Sequence, residues 1–154
     1  MADAIGLAAY KIQTWTQELS VRGGTEQRCC PRGEQVEIRL LVAIDDVYRS
    51  YQDVIASAIR VLRPHAEVQT TTLDALGEAV ERFDPELVIC SRPNTVDPGG
   101  RIAWVELSVD PTRPSKVCVG GRYTESTNLT LEVLLAVIDE VEELVRTNNH
   151  FRGC

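Results

Sequence analysis

The stretch Val36-Glu37-Ile38-Arg39-Leu40-Leu41-Val42-Ala43-Ile44-Asp45-Asp46 decides the fold. Ile38, Leu40, Leu41, Val42, Ala43 and Ile44 form a nearly continuous apolar run, the pattern of a strand buried on both faces of a parallel sheet. The run stops abruptly at two carboxylates. Just downstream, Tyr51, Val54, Ile55, Ala58, Ile59 and Leu62 follow the i, i+3, i+4, i+7 spacing of an amphipathic helix, until Pro64 ends it.

The strand-then-helix unit repeats downstream. A short strand at Glu67–Thr70 leads to Thr72, an expected N-cap with Asp74 in the first turn, and to a helix through Leu76, Ala79, Val80 and Phe83. Asp84-Pro85 closes that helix, and Leu87-Val88-Ile89-Cys90 reads as the next buried strand. The order predicts an α/β domain with a doubly wound, mostly parallel five-stranded sheet and helices on both faces.

The second half is less regular. Residues 92–100 hold two prolines and two glycines, which predicts a long loop and no crossover helix before the strand Ile102–Leu107. Only Asp110–Ser115 then separates it from the strand Lys116–Val119, too little chain for a helical crossover and compatible with antiparallel pairing. The third and fourth helices of the doubly wound pattern are thus reduced or absent. An apolar-rich helix follows from Leu129 to Val145, with Glu132, Asp139, Glu140, Glu142 and Glu143 on its polar side, and residues 148–154 read as a frayed tail.

Residues 1–35 differ from the rest. Ile5, Ala8, Ala9, Ile12, Trp15, Thr16 and Leu19 recur at helical spacing before Gly23-Gly24, which predicts a short amphipathic helix and a linker, packed on its own domain or used for docking and dimerisation. The organisation is therefore an extension at 1–35, a domain at 36–146 and a tail at 147–154. A chain of 154 residues can bury a core in one domain without metals or disulfides to hold it. A net charge of −7 with no basic run argues against nucleic acid and anionic membranes as partners. The first residues lack a basic segment followed by a long apolar run, so a cytoplasmic location is expected. The five cysteines are odd in number, and Cys90 and Cys118 lie in apolar strands where cysteine acts as a small hydrophobe, so no disulfide framework is expected.

In an open α/β sheet, chemistry collects at the carboxyl ends of the strands. Those ends are Asp45, Asp46, Ser91, Ser108 and Gly120. Adjacent carboxylates at a strand mouth suit a divalent cation such as Mg²⁺, and they also suit the positive end of a helix dipole. Arg92, Arg101 and Arg113 are candidate anion-binding residues, or solvated loop charges.

RLLVAIDD followed by an amphipathic helix, and FDPELVIC after a second strand-helix unit, resemble the receiver domain of bacterial two-component response regulators. The resemblance covers about Val36 to Val145, more closely in its first half. It implies a flavodoxin-like architecture, with Asp45 and Asp46 matching the family's metal-binding acidic pair and Ser108 its switch hydroxyl. The position of the phosphate-accepting aspartate falls on Ser91, and that of the family's lysine falls near Gly120-Gly121, with Lys116 too early to serve.

A neutral hydroxyl with no adjacent base is a poor substitute for a carboxylate nucleophile, so the resemblance implies a degenerate receiver, a pseudo-receiver without phosphotransfer. Its expected role is signalling or regulation through a protein partner, including a second copy of itself, with no enzymatic activity and no cofactor beyond weakly held Mg²⁺. The alternative is a flavodoxin-like module for a small molecule, nucleotide or flavin, against which Asp45-Asp46 stand where a phosphate would need a Gly/Ser/Thr-rich loop. An enzyme built on Ser91 or Cys90 lacks glycine neighbours and a nearby histidine.

Overall fold

The computed structural model describes residues 36–148 and 152–154. The expected helix and linker at 1–35 lie outside the described residues. Among them, the chain forms six strands and three α-helices: β1 (Arg39–Ala43), α1 (Arg49–Leu62), β2 (Glu67–Thr70), α2 (Leu76–Phe83), β3 (Leu87–Cys90), β4 (Ala103–Glu106), β5 (Ser115–Val119), β6 (Arg122–Ser126) and α3 (Leu131–Thr147). No helix among these residues is long and apolar enough to cross a membrane.

The strands lie in the order β2-β1-β3-β4-β5-β6. β2, β1, β3 and β4 are parallel, while β5 runs antiparallel to β4, and β6 antiparallel to β5. The long connections before β2 and β3 hold helices that return the chain for parallel pairing, whereas residues 107–114 only turn it round. The helices expected between β3 and β4, and between β4 and β5, are absent from this α/β sheet, as the prolines and glycines of that region predict.

Two apolar layers sandwich the sheet. On one face α1 and α3 pack Ile55, Ile59, Leu134 and Ile138 against Leu40, Val42, Leu87, Ile89 and Val105, all fully buried. Arg63 clamps the two helices by a bidentate pair with Asp139, and His65 meets Glu142 beside it. α3 starts where Thr130 accepts a hydrogen bond from Val133 N. On the other face α2 contributes Leu76, Ala79 and Val80 to a smaller cluster with Leu41, Ala43, Val88, Cys90, Trp104, Cys118 and Cys154. Thr72 does not cap α2. Its hydroxyl accepts from Ala75 N in the preceding turn, and the helix begins after Ala75.

Three expectations are corrected. The sheet has six strands, not five, because Gly120-Gly121 forms a two-residue hairpin loop in which both residues have positive φ, 57° and 82°. Read as the end of the last strand, that pair hides β6, whose exposed Arg122, Tyr123, Thr124 and Glu125 carry no apolar signal. The tail is not frayed at its end, since residues 152–154 pack on the domain. Cys118 and Cys154 form a disulfide with Cα atoms 5.9 Å apart, where no disulfide was expected. Partners 36 residues apart are beyond any local spacing rule. Closing a loop of that length stabilises the fold by roughly 3–4 kcal/mol in the chain-entropy account.

At the amino end of the sheet, Arg101 donates to Asp97 Oδ2 (2.7 Å), Asp84 Oδ1 (2.6 Å) and Pro85 O (3.0 Å), and Arg39 binds Glu86 and Asp84. The Arg101 hydrogen bond holds the Asp84 carboxyl below its usual range. A depressed carboxylate contributes stability above its ordinary pKa and loses it as pH falls through the folded value. Asp84 is largely exposed, so that contribution is small. Arg101→Ala is therefore expected to lower the unfolding free energy by about 1–3 kcal/mol at neutral pH, with a smaller penalty below about pH 4. Urea denaturation followed by circular dichroism at both pH values checks this.

Candidate functional site

Four segments meet at the carboxyl end of the parallel strands: the exits of β1, β3 and β4, and, because β5 is reversed, the start of β5. The exit of β1 is fixed from below. Gln52 on α1, itself buried, accepts from Ile44 N at 2.7 Å, so the chain leaves the sheet at a set point. Asp45 Oδ1 then accepts from Val47 N at 3.1 Å and caps a one-turn 3₁₀ helix, Asp46–Tyr48. The carboxylates of Asp45 and Asp46 are exposed.

Ser91 stands one residue past β3. Its amide donates to Ala43 O (3.3 Å), and its hydroxyl accepts from Asp45 N (3.2 Å), joining the exit of β3 to that of β1. Ser91 therefore lies where the acceptor residue is expected, with its oxygen engaged by a backbone amide. His65, the histidine among the described residues, is bound to Glu142 on the other side of the sheet and offers it no base. Ser108 sits past β4, its amide donating to Ser115 Oγ and its hydroxyl to Asp110 O, both at 2.9 Å.

Ser91, Glu106, Ser108, Asp110, Arg113 and Lys116 line a cavity of about 510 Å³ at this mouth. Lys116 is the residue the sequence reading set aside. Counted along a parallel fifth strand it comes too early, but β5 is antiparallel, and its first residues lie beside the last of β4 in the register Glu106↔Lys116. The same reversal corrects Gly120, which lies at the amino end, where its amide donates to Ile102 O. The short connection after Asp110 was the signal that could have placed Lys116 at the mouth.

The anion-binding candidates separate. Arg101 is engaged by Asp84 and Asp97 at the opposite end of the sheet and is a strut, while the Arg92 side chain is exposed just past Ser91. The Arg92 carbonyl accepts from both Cys90 Sγ (2.9 Å) and Trp104 Nε1 (3.1 Å), which anchors the loop to the second core. Arg113 lies over the cavity and reaches Asp110. Among the described residues no three His, Cys, Asp or Glu side chains come together as a metal-holding group.

No protein-family model matches the chain, and neither a curated protein nor a solved structure is detectably similar to it.

Cys90 is fully buried, and its desolvation pushes the thiol up to about 12. At about pH 8 roughly one such thiol in ten thousand is a thiolate, the form that reacts. Iodoacetamide at that pH is expected to leave Cys90 unmodified in the folded protein for hours and to modify it within minutes in strong denaturant. Peptide mass spectrometry of residues 83–92 reads the difference.

Proposed function

We propose that the chain is a receiver-like regulatory module that acts through a protein partner and performs no phosphotransfer. One observation carries this reading: at the end of β3 a serine, not a carboxylate, faces the Asp45-Asp46 turn, and its hydroxyl is held by the Asp45 amide. An aspartyl phosphate needs a carboxylate nucleophile, and a neutral hydroxyl with no base is unreactive toward a phosphoryl donor. The strand order β2-β1-β3-β4-β5, the acidic pair after β1 and the hydroxyl of Ser108 after β4 support the flavodoxin-like, receiver-like part of the reading. Lys116 supplies a cation at the mouth by a different route along the chain.

A protein partner is favoured by β6, which among the described residues is an edge strand with Arg122, Tyr123, Thr124 and Glu125 exposed and no strand on its outer side. Edges of this kind take up an added strand from a partner or a second copy, with affinity from main-chain hydrogen bonds. The flavodoxin-like alternative, a nucleotide or flavin module, is disfavoured by the carboxylates that stand after β1, where a phosphate would need backbone amides and small residues.

Acetyl phosphate with Mg²⁺ is expected to leave the intact mass of the wild-type chain unchanged, and a labile phosphoprotein overturns the proposal. Ser91→Asp completes three carboxylates around the turn. It is expected to tighten Mg²⁺ binding at least about tenfold, by isothermal calorimetry, and to gain a hydroxylamine-sensitive phosphate.

A further inference from the structure

The sheet face that carries α2 is covered unevenly. α2 lies over β1 and β3, whereas over β4 and β5 the cover comes from the loop of residues 91–101 and from residues 152–154. Cys154 belongs to the same apolar cluster as Trp104 and Cys118, which pair across β4 and β5. The last residues thus occupy ground that a crossover helix would otherwise fill.

What holds them there is limited. Cys154 N donates to Arg101 O at 2.7 Å, and Asn94 Nδ2 donates to Cys154 O at 3.0 Å. Gly153 passes so close to Gly99 that a Cβ on it would stand 1.8 Å from the Gly99 oxygen. Among the described residues, Cys154 is also buried in the apolar cluster, Arg152 passes close to Gly121, and the Cys118–Cys154 disulfide is the covalent tie. The two hydrogen bonds at Cys154 contribute less, net of those lost to water, than the conformational entropy of ordering residues 152–154 costs. The covalent bond is the strongest of these ties and the one a reductant removes.

We propose that Cys118–Cys154 is a redox-active site that takes a dithiol reductant, and that its reduction releases residues 152–154 and uncovers the β4–β5 face around Trp104. Both cysteines are buried, and both line a cavity of about 420 Å³ whose other walls include Trp104, Lys116 and the exposed Tyr123, which is the side from which a sulfur would attack the bond. A thiolate of the reductant attacks one protein sulfur, the S–S bond breaks, and the other protein sulfur leaves as a thiolate and takes a proton. The second thiol of the reductant then attacks the mixed disulfide and frees the first protein sulfur as a thiol. The dithiol becomes a disulfide, having supplied two electrons and two protons.

Cys90 does not divert this chemistry. It lies on β3, two strands from β5, so its backbone is about 10 Å or more from that of Cys118, beyond the ~7 Å that a disulfide spans. Its thiol is buried and donates to Arg92 O. Cys90 is therefore out of reach of Cys118, and reoxidation that returns the Cys118–Cys154 bond leaves the Cys90 thiol in place.

The test uses the full chain, with and without dithiothreitol, in native buffer. Native alkylation after reduction is expected to label Cys118 and Cys154 but not Cys90. Amide hydrogen exchange in the 91–101 loop and at 152–154 is expected to rise at least tenfold while α1 and α3 stay protected, and an anilinonaphthalene dye is expected to bind. Cys154→Ser shows the open behaviour without reductant and no further response to it, and Cys90→Ser responds as the wild type does. Three results overturn the proposal: a disulfide reduced only in denaturant, reduction that leaves loop exchange and dye binding unchanged, or loss of protection throughout the domain. If Cys154→Ser fails to fold, reduction of the wild-type chain still decides between them.

Discussion

The half of the molecule from β4 onward depends on one short connection. Residues 107–114 cannot carry a helix back across the sheet, so β5 returns antiparallel to β4. That reversal moves Lys116 to the carboxyl end of the sheet and Gly120-Gly121 to the amino end. The glycine pair then permits the tight hairpin that adds β6, with both residues in the positive-φ region where side chains are strained. A parallel β5 would have exchanged these ends and brought a crossover helix with it.

The missing helices create a packing problem that the chain solves unequally on the two faces. α1 and α3 cover their face with long, fully buried aliphatic side chains, each worth roughly 1.5–3 kcal/mol of burial. Among the described residues the opposite face has one helix, the eight-residue α2, and Trp104 and Cys118 are covered by the 91–101 loop and residues 152–154. The loop is pinned by Cys90 and Trp104 donating to the Arg92 carbonyl, and by Asn94 bridging Asp97 O and Cys154 O. Polar contacts and one disulfide thus stand where apolar helix packing would ordinarily suffice.

The first three strands and their two helices are legible in the sequence because each carries its own period: Ile38–Ile44 and Leu87–Cys90 as apolar runs, and Tyr51–Leu62 at helical spacing. The absent crossover helices are legible too, from the prolines and glycines after Ser91. Features whose cause is non-local are not. β6 is exposed on nearly every residue, so only its Gly-Gly turn announces it. The partner of Cys118 lies at the far end of the chain, and Lys116 reads as misplaced until the direction of β5 is known. Of the candidate site, Ser91 and Ser108 could be placed by counting from strand ends, whereas Arg101 could not be told from a loop charge without its partners Asp84 and Asp97.

The mouth of the sheet and the covered face beneath the tail are not separate regions. Glu106 and Lys116 face each other across β4 and β5, and both side chains line both cavities, the one at Ser91 and the one at Cys154. A charged pair in that position takes its solvation from either side. With the tail seated, the cavity below is walled by Cys154 and Asn94, and with the tail gone it opens to water. Lys116 is already exposed and Glu106 is half-buried, so more water there weakens chiefly the field of Glu106 at the mouth, because charge interactions fall as the local dielectric rises. The state of the chain end therefore bears on the electrostatics beside Ser91 without any movement of the parallel strands. It acts through two residues whose adjacency is itself a consequence of the reversed β5.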